Sequence, residues 1–243
     1  MTRKTHRMVL SLLLSSATLA AAPATQPVHR PTLTDAGKQA GWKLIFDGTS
    51  TAGWRGLGSD TFPKDEWVVR DGCLVHLPVK GGSNDIVYDR PVENFELSWE
   101  WMIPKKNGNS GVKYRVREKK GSGGAFGPEY QMMNDPGVDN KGATGSLYDV
   151  LPPKGKELRP DGEFNQSRIV VRGNRVEHWL NGVKVVEYEF GSEALKSAVA
   201  ESKFKNTPHW GASPKGYIAL TDHGDEVWFR NIKLRELSED GGK

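Results

Sequence analysis

The side chains best suited to move a proton beside a developing negative charge are Glu129, His223 and Arg115. A carboxylate or an imidazole can act as base or acid, and a guanidinium can hold an oxyanion. Strand alternation tests whether they share a face. In the run 109–116, Ser110, Val112, Tyr114 and Val116 suit a core, which leaves Asn109, Lys113 and Arg115 on the second face. In 129–132, Tyr130 and Met132 suit the core, so Glu129 and Gln131 face away. In 217–223, Ile218 and Leu220 point inward, and Tyr217, Thr221 and His223 point outward. Glu100 falls on the second face of its own strand. If these strands share one sheet, that face is either a ligand site or a solvated surface with scattered ion pairs, as antiparallel sheets often have.

The elements that must position these residues read as strands. Trp67–Arg70 and Cys73–His76 flank Asp71-Gly72, a hairpin signal. Residues 95–101 alternate strictly, with Phe95, Leu97, Trp99 and Trp101 on one side. Segments 169–172, 175–180 and 183–188 form a meander with turns at Gly173-Asn174 and Asn181-Gly182, and 217–220 and 227–234 read as closing strands. One helix is predicted, opened by Ser192 as N-cap, with a stripe at Ala194, Leu195, Ala198 and Val199. Loops of little strand character cover 119–128 and 134–162. Many strands and one short helix imply an all-β fold of two packed antiparallel sheets, with a single domain over 41–238 and a tail at 239–243.

Arg3, Lys4 and Arg7, the apolar run 8–14 and the small residues 17–22 have the pattern of a cleavable signal peptide over 1–22, followed by a flexible lead-in over 23–40. The apolar run is far shorter than the ~20 residues of a membrane span. Export to the periplasm or medium is therefore expected, with no membrane partner. Of 34 basic residues, removal of the peptide leaves 31 against 30 acidic ones, near +1, and no clustered basic face suggests nucleic acid. The lone Cys73 cannot form an internal disulfide, and it reads as a small buried apolar residue.

Several runs together resemble one family. They are 109–115 (Asn-Ser-Gly-Val-Lys-Tyr-Arg), Glu129-Tyr130-Gln131, Tyr148-Asp149, 162–165, 178–182, 202–204, 216–224 and 229–232, with 44–49 and Trp54 at the start. The set resembles the 3-keto-disaccharide hydrolase domain over about Gly41–Leu237; Thr221 stands where that family often has Gln. The resemblance implies a concanavalin A-like jelly-roll sandwich whose concave sheet holds a glycan, and a substrate oxidised at C3 by a separate sugar dehydrogenase. It also implies that these strands share one sheet, so the residues selected by alternation and chemistry become the site: Glu129, His223 and Arg115 as catalytic candidates, and Glu100, Asn109, Lys113, Gln131, Tyr148, Asp149 and Thr221 as candidate substrate contacts.

Chemistry on a 3-keto sugar follows from elementary principles. The ketone acidifies the C2 hydrogen, and the leaving group sits on C1. His223 or Glu129 is the candidate base, Arg115 or Lys113 the oxyanion stabiliser, and Glu100 or Asp149 the acid. Direct displacement by two carboxylates is the other route, and a non-catalytic lectin-like module is the alternative function. Strand 129–134 lacks the second acid of a Glu-x-Asp-x-x-Glu glucanase strand, and no Gly-x-Ser-x-Gly elbow occurs. No cofactor or metal is expected. Asp135, Asp139, Asp149 and Asp161 leave structural calcium open, but their spacing matches no EF-hand.

Overall fold

The computed structural model describes residues 30–79, 84–118, 126–207 and 210–238, so the leader segment and the tail 239–243 lie outside the described residues. In chain order the elements begin with helix α1 (Asp35–Gln39), β1 (Lys43–Leu44), β2 (Trp54–Gly56), β3 (Trp67–Arg70), β4 (Cys73–His76) and β5 (Ile86–Val92). β6 (Phe95–Met102), β7 (Asn109–Val116), β8 (Glu129–Met133), β9 (Asn165–Arg172), β10 (Arg175–Leu180) and β11 (Val183–Glu189) follow. Helix α2 (Glu193–Ala200), a 3-10 turn (Lys203–Asn206), β12 (Gly216–Leu220) and β13 (Val227–Glu236) complete the chain. Helix α1 lies within the stretch 23–40, where the sequence offered no element.

The strands form the two antiparallel sheets of a jelly-roll sandwich. One sheet runs β11-β10-β9-β6-β13-β4-β3, with β1 also against β13, and the other runs β2-β5-β12-β7-β8. The alternation of β6 holds: Phe95, Leu97, Trp99 and Trp101 are each no more than 1% exposed. Burying an aromatic or large aliphatic side chain contributes roughly 1.5–3 kcal/mol, so this face ties β6 to the facing sheet. Helix α2 lies outside the sheets with Leu195 as its one buried residue, and the Ser192 hydroxyl accepts from Leu195 N at 3.2 Å.

A buried polar network crosses the core. The Trp101 indole donates to Ser167 Oγ (2.8 Å), Ser167 donates to the Tyr130 hydroxyl (2.9 Å), and Tyr130 donates to the Trp179 carbonyl (3.2 Å). Beside it His178 lies 3.0 Å from the Gly145 carbonyl through Nδ1 and 2.8 Å from the Tyr114 hydroxyl through Nε2. A carbonyl only accepts, so Nδ1 carries the hydrogen and Nε2 accepts from Tyr114. Burial pushes the His178 pKa down to about 4 and that of Tyr114 well above 10.

Two expectations about faces change. Glu100 lies on β6, in the sheet opposite Glu129, so the two carboxylates do not share a face. On β12, Tyr217 pairs with Val116 and Ala219 with Lys113, so Ile218 alone stands opposite both Tyr114 and Arg115. Arg115 is the extra residue of a β-bulge, with φ of 50°. A Cβ on neighbouring Gly216 would lie 2.5 Å from the Arg115 carbonyl carbon, so the bulge needs glycine there. Beyond the bulge the alternation shifts by one. Val116, expected in the main core, packs with Val87 and Ala219 in a separate small cluster instead.

Candidate active site

The outer face of the five-stranded sheet carries one row of paired residues: Arg55, Val87, Ala219, Lys113 and Glu129, from β2 across to β8. Gly111 and Gln131 pair in the next row toward the start of β7. Gly111 is what lets the Glu129 side chain lie flat: a Cβ there would stand 2.2 Å from Glu129 Oε1. Thr221 Oγ1 lies 3.4 Å from Glu129 Oε1, and His223 Nε2 lies 3.8 Å from the same oxygen. The last distance exceeds a hydrogen bond. His223 is more than a third exposed along its side chain, whereas Glu129 is only 6% exposed. The face therefore offers a nearly buried carboxylate with an accessible imidazole above it.

Asp85, one residue before β5, joins this face. Its Oδ2 lies 3.7 Å from Lys113 Nζ, and its Oδ1 accepts from the backbone N–H of Asp222 at 2.9 Å. Burial pushes the Asp85 carboxyl up, against the pull of Lys113. Gln131 donates to Asn109 Oδ1 at 3.0 Å, so these two amides orient one another at the rim. Acid–base groups and a cation thus sit close together, Lys113 at 3.7 Å from Asp85 and His223 at 3.8 Å from Glu129.

Residues 41–235 match the model of the 3-keto-alpha-glucoside-1,2-lyase-like domain family. The chain belongs to this family. A curated relative from Bacteroides thetaiotaomicron, named 3-keto-disaccharide hydrolase, is 34% identical over 231 residues, covering 81% of this chain and 79% of the relative. A crystal structure from Parabacteroides distasonis, titled as a candidate glycosyl hydrolase, superposes with a TM-score of 0.77 at 32% identity, covering 86% of this chain and 100% of that one. A family GH16 endo-β-1,3(4)-glucanase, at 12% identity and a TM-score of 0.50, covering 87% and 96%, shares the fold alone. As a member of the 3-keto-alpha-glucoside-1,2-lyase-like family, the chain is a glycoside-cleaving enzyme.

Within this family member the site set expected from sequence divides. Glu129, His223, Thr221, Lys113, Asn109 and Gln131 come together as described. Arg115 does not join them. The bulge sends its guanidinium to the Gly173 carbonyl at 2.5 Å and over the Phe190 ring at 4.2 Å, where burial lowers its pKa. It lines a separate cavity of about 600 Å³ with Phe190, Leu195, Phe204 and Trp210. Glu100 is held by Arg230 and Asn231, each at 2.7 Å, on the other sheet.

Tyr148 and Asp149 stand beside β8. Tyr148 N donates to the Glu129 carbonyl at 3.0 Å, and its ring lies under Lys203 Nζ at 3.9 Å. Asp149, at φ of 62°, accepts from the Lys203 backbone N–H at 2.6 Å, so it tethers the 3-10 turn. Asp85 and Lys203 are the residues that the sequence reading passed over. Alternation from Val87 back to Asp85 could have found the first. Lys203 stood within a quoted family run, but no local signal joins it to Tyr148.

Proposed function

We propose that this enzyme cleaves glycosides already oxidised at C3 of a glucose-type ring, beginning with removal of the C2 proton. The observation that carries the reading is Glu129 lying across Gly111, with His223 at 3.8 Å and Lys113 directly opposite on the neighbouring strand. Glu129, with His223 beside it, takes the C2 proton. The electron pair of that C–H bond moves toward the C3 carbonyl, whose oxygen becomes an enolate. Of the two candidate oxyanion stabilisers, Lys113 takes this place, because Arg115 turns away. The enolate then expels the C1 oxygen, which leaves as an alcohol after taking a proton, and a C1–C2 double bond remains. Addition of one water, oxygen to C1 and hydrogen to C2, gives the free 3-keto sugar. Elimination followed by hydration amounts to hydrolysis, which accommodates both the lyase of the family's description and the hydrolase of the relative's name.

The substrate implies an upstream sugar 3-dehydrogenase. Protein bearing the leader 1–22 acts in the periplasm or medium; N-terminal sequencing of the exported product should begin near residue 21 or 23, and an uncleaved cytosolic product would contradict export. Incubation with a 3-keto-glucoside beside the unoxidised glycoside tests the function, with C2 deuteration reporting the first step. Cleavage of the oxidised sugar alone, slowed by deuterium, is expected. Binding of both sugars without cleavage would return a lectin-like role, and equal cleavage of both would point to direct displacement.

A further inference from the structure

Behind the candidate site, between the ends of the two sheets, three acceptor groups converge; Asp222 Oδ1 accepts from Gly224 N at 2.7 Å, and the other two face it without a donor. His76 closes β4, Glu66 stands just before β3, and Asp222 follows β12. His76 is fully buried. Its Nδ1 lies 2.8 Å from the Asp225 carbonyl, and since a carbonyl only accepts, Nδ1 carries the hydrogen. Its Nε2 makes no hydrogen bond, although Asp222 Oδ1 lies only 3.0 Å away. Glu66 Oε2 is likewise buried and unbonded. One donor atom from each of Glu66, His76 and Asp222 lies within 4.8 Å of the others, and no other such group occurs among the described residues.

We infer that Glu66, His76 and Asp222 bind one divalent transition-metal ion of the Zn²⁺ or Mn²⁺ class. A buried imidazole nitrogen without a hydrogen bond, facing two carboxylate oxygens, is costly unless a cation lies among them. The outer contacts are those of a metal site. The imidazole donates its far N–H to a carbonyl, Glu66 Oε1 accepts from Asn84 Nδ2 at 2.7 Å, and Asp222 Oδ2 accepts from Asn84 N at 3.0 Å. The mixed nitrogen and carboxylate set suits a transition ion better than calcium, which prefers oxygen alone. Bond lengths of about 2.0–2.2 Å place ligand atoms roughly 3–3.5 Å apart, which the 3.0 Å between His76 Nε2 and Asp222 Oδ1 already approaches. The ion joins β4 of one sheet to the end of β12 of the other, directly beside His223. No local motif announces it, because the ligands are scattered along the chain.

The test is calorimetric titration of chelator-treated full-length protein with ZnCl2, MnCl2 and CaCl2. One equivalent of Zn²⁺ or Mn²⁺ should bind at least about tenfold tighter than Ca²⁺, with a rise in Tm. Glu66→Gln, which keeps the shape, should weaken binding about tenfold or more while leaving the circular dichroism spectrum unchanged. His76→Gln should do the same, and if it fails to fold, Glu66→Gln alone decides. Imidazole ¹⁵N spectra should show the His76 Nε2 signal shifted by Zn²⁺. No saturable binding, preference for Ca²⁺, or binding unchanged in Glu66→Gln would overturn the site.

Discussion

The two outer faces of the sandwich treat their carboxylates differently. On the eight-stranded sheet, Glu96 is nearly buried and held by Arg168 at 2.7 Å and by Arg235, while Glu100 is held by Arg230 and Asn231. On the five-stranded sheet, Glu129 is also buried, yet a threonine hydroxyl at 3.4 Å and an imidazole at 3.8 Å stand beside its carboxylate. Asp85 and Lys113 stand 3.7 Å apart. Short, charge-assisted contacts on the first face spend the carboxylates on structure. The looser face keeps its groups available for something that arrives. Residue type and alternation look alike on both faces, so partner distance is what separates a structural carboxylate from a working one.

The largest expected effect sharpens this contrast: Glu129→Gln should lower turnover of a 3-keto-glucoside by roughly 10²–10⁴-fold with Tm little changed. Near wild-type turnover in the folded variant would remove Glu129 from the mechanism. Next, Gly111→Ala should cost about 10²-fold in kcat, because the new Cβ displaces the Glu129 carboxylate from its bed. Since the displaced atoms end a flexible side chain, the fold should persist, and an unchanged kcat would show that the bed is not needed.

The core supplies a fully partnered histidine for comparison. His178 has a folded pKa of about 4, below the usual 6.5, so the fold favours its neutral form. Its contribution is complete above pH about 6.5 and is lost as pH falls toward 4, because the unfolded chain takes the proton first. The loss is about 3 kcal/mol across that window. Urea midpoints between pH 7.5 and 4 should fall more steeply for the wild type than for His178→Gln, and parallel curves would refute this assignment.

Smaller effects are expected on the structural face. Glu96→Gln should cost about 1–3 kcal/mol of stability with kcat unchanged. Glu100→Gln, more exposed, should cost about 1 kcal/mol or less, again without loss of rate. A rate defect in either, measured on folded protein, would break the distinction between the faces.

By itself the sequence determined the local structure. The period-2 pattern of 95–101, the Asp71-Gly72 and Asn181-Gly182 turns and the Ser192 cap are short-range facts, and each appears where expected. The same pattern placed Glu129, Gln131, Lys113, Asn109, Thr221 and His223 on one kind of face, and the quoted runs were specific enough to indicate the family. The tertiary structure alone decided which faces are shared. Strand membership depends on long-range pairing, so the alternation that marks Glu100 carries no record of its being in the other sheet. A bulge is a mismatch in count between two strands, two residues of β7 against Ile218 of β12, so neither strand alone shows that Arg115 turns away. Asp85 beside Lys113, and Glu66 and His76 beside Asp222, meet because separate strand ends converge. That convergence is a property of the packed sheets and not of residue spacing.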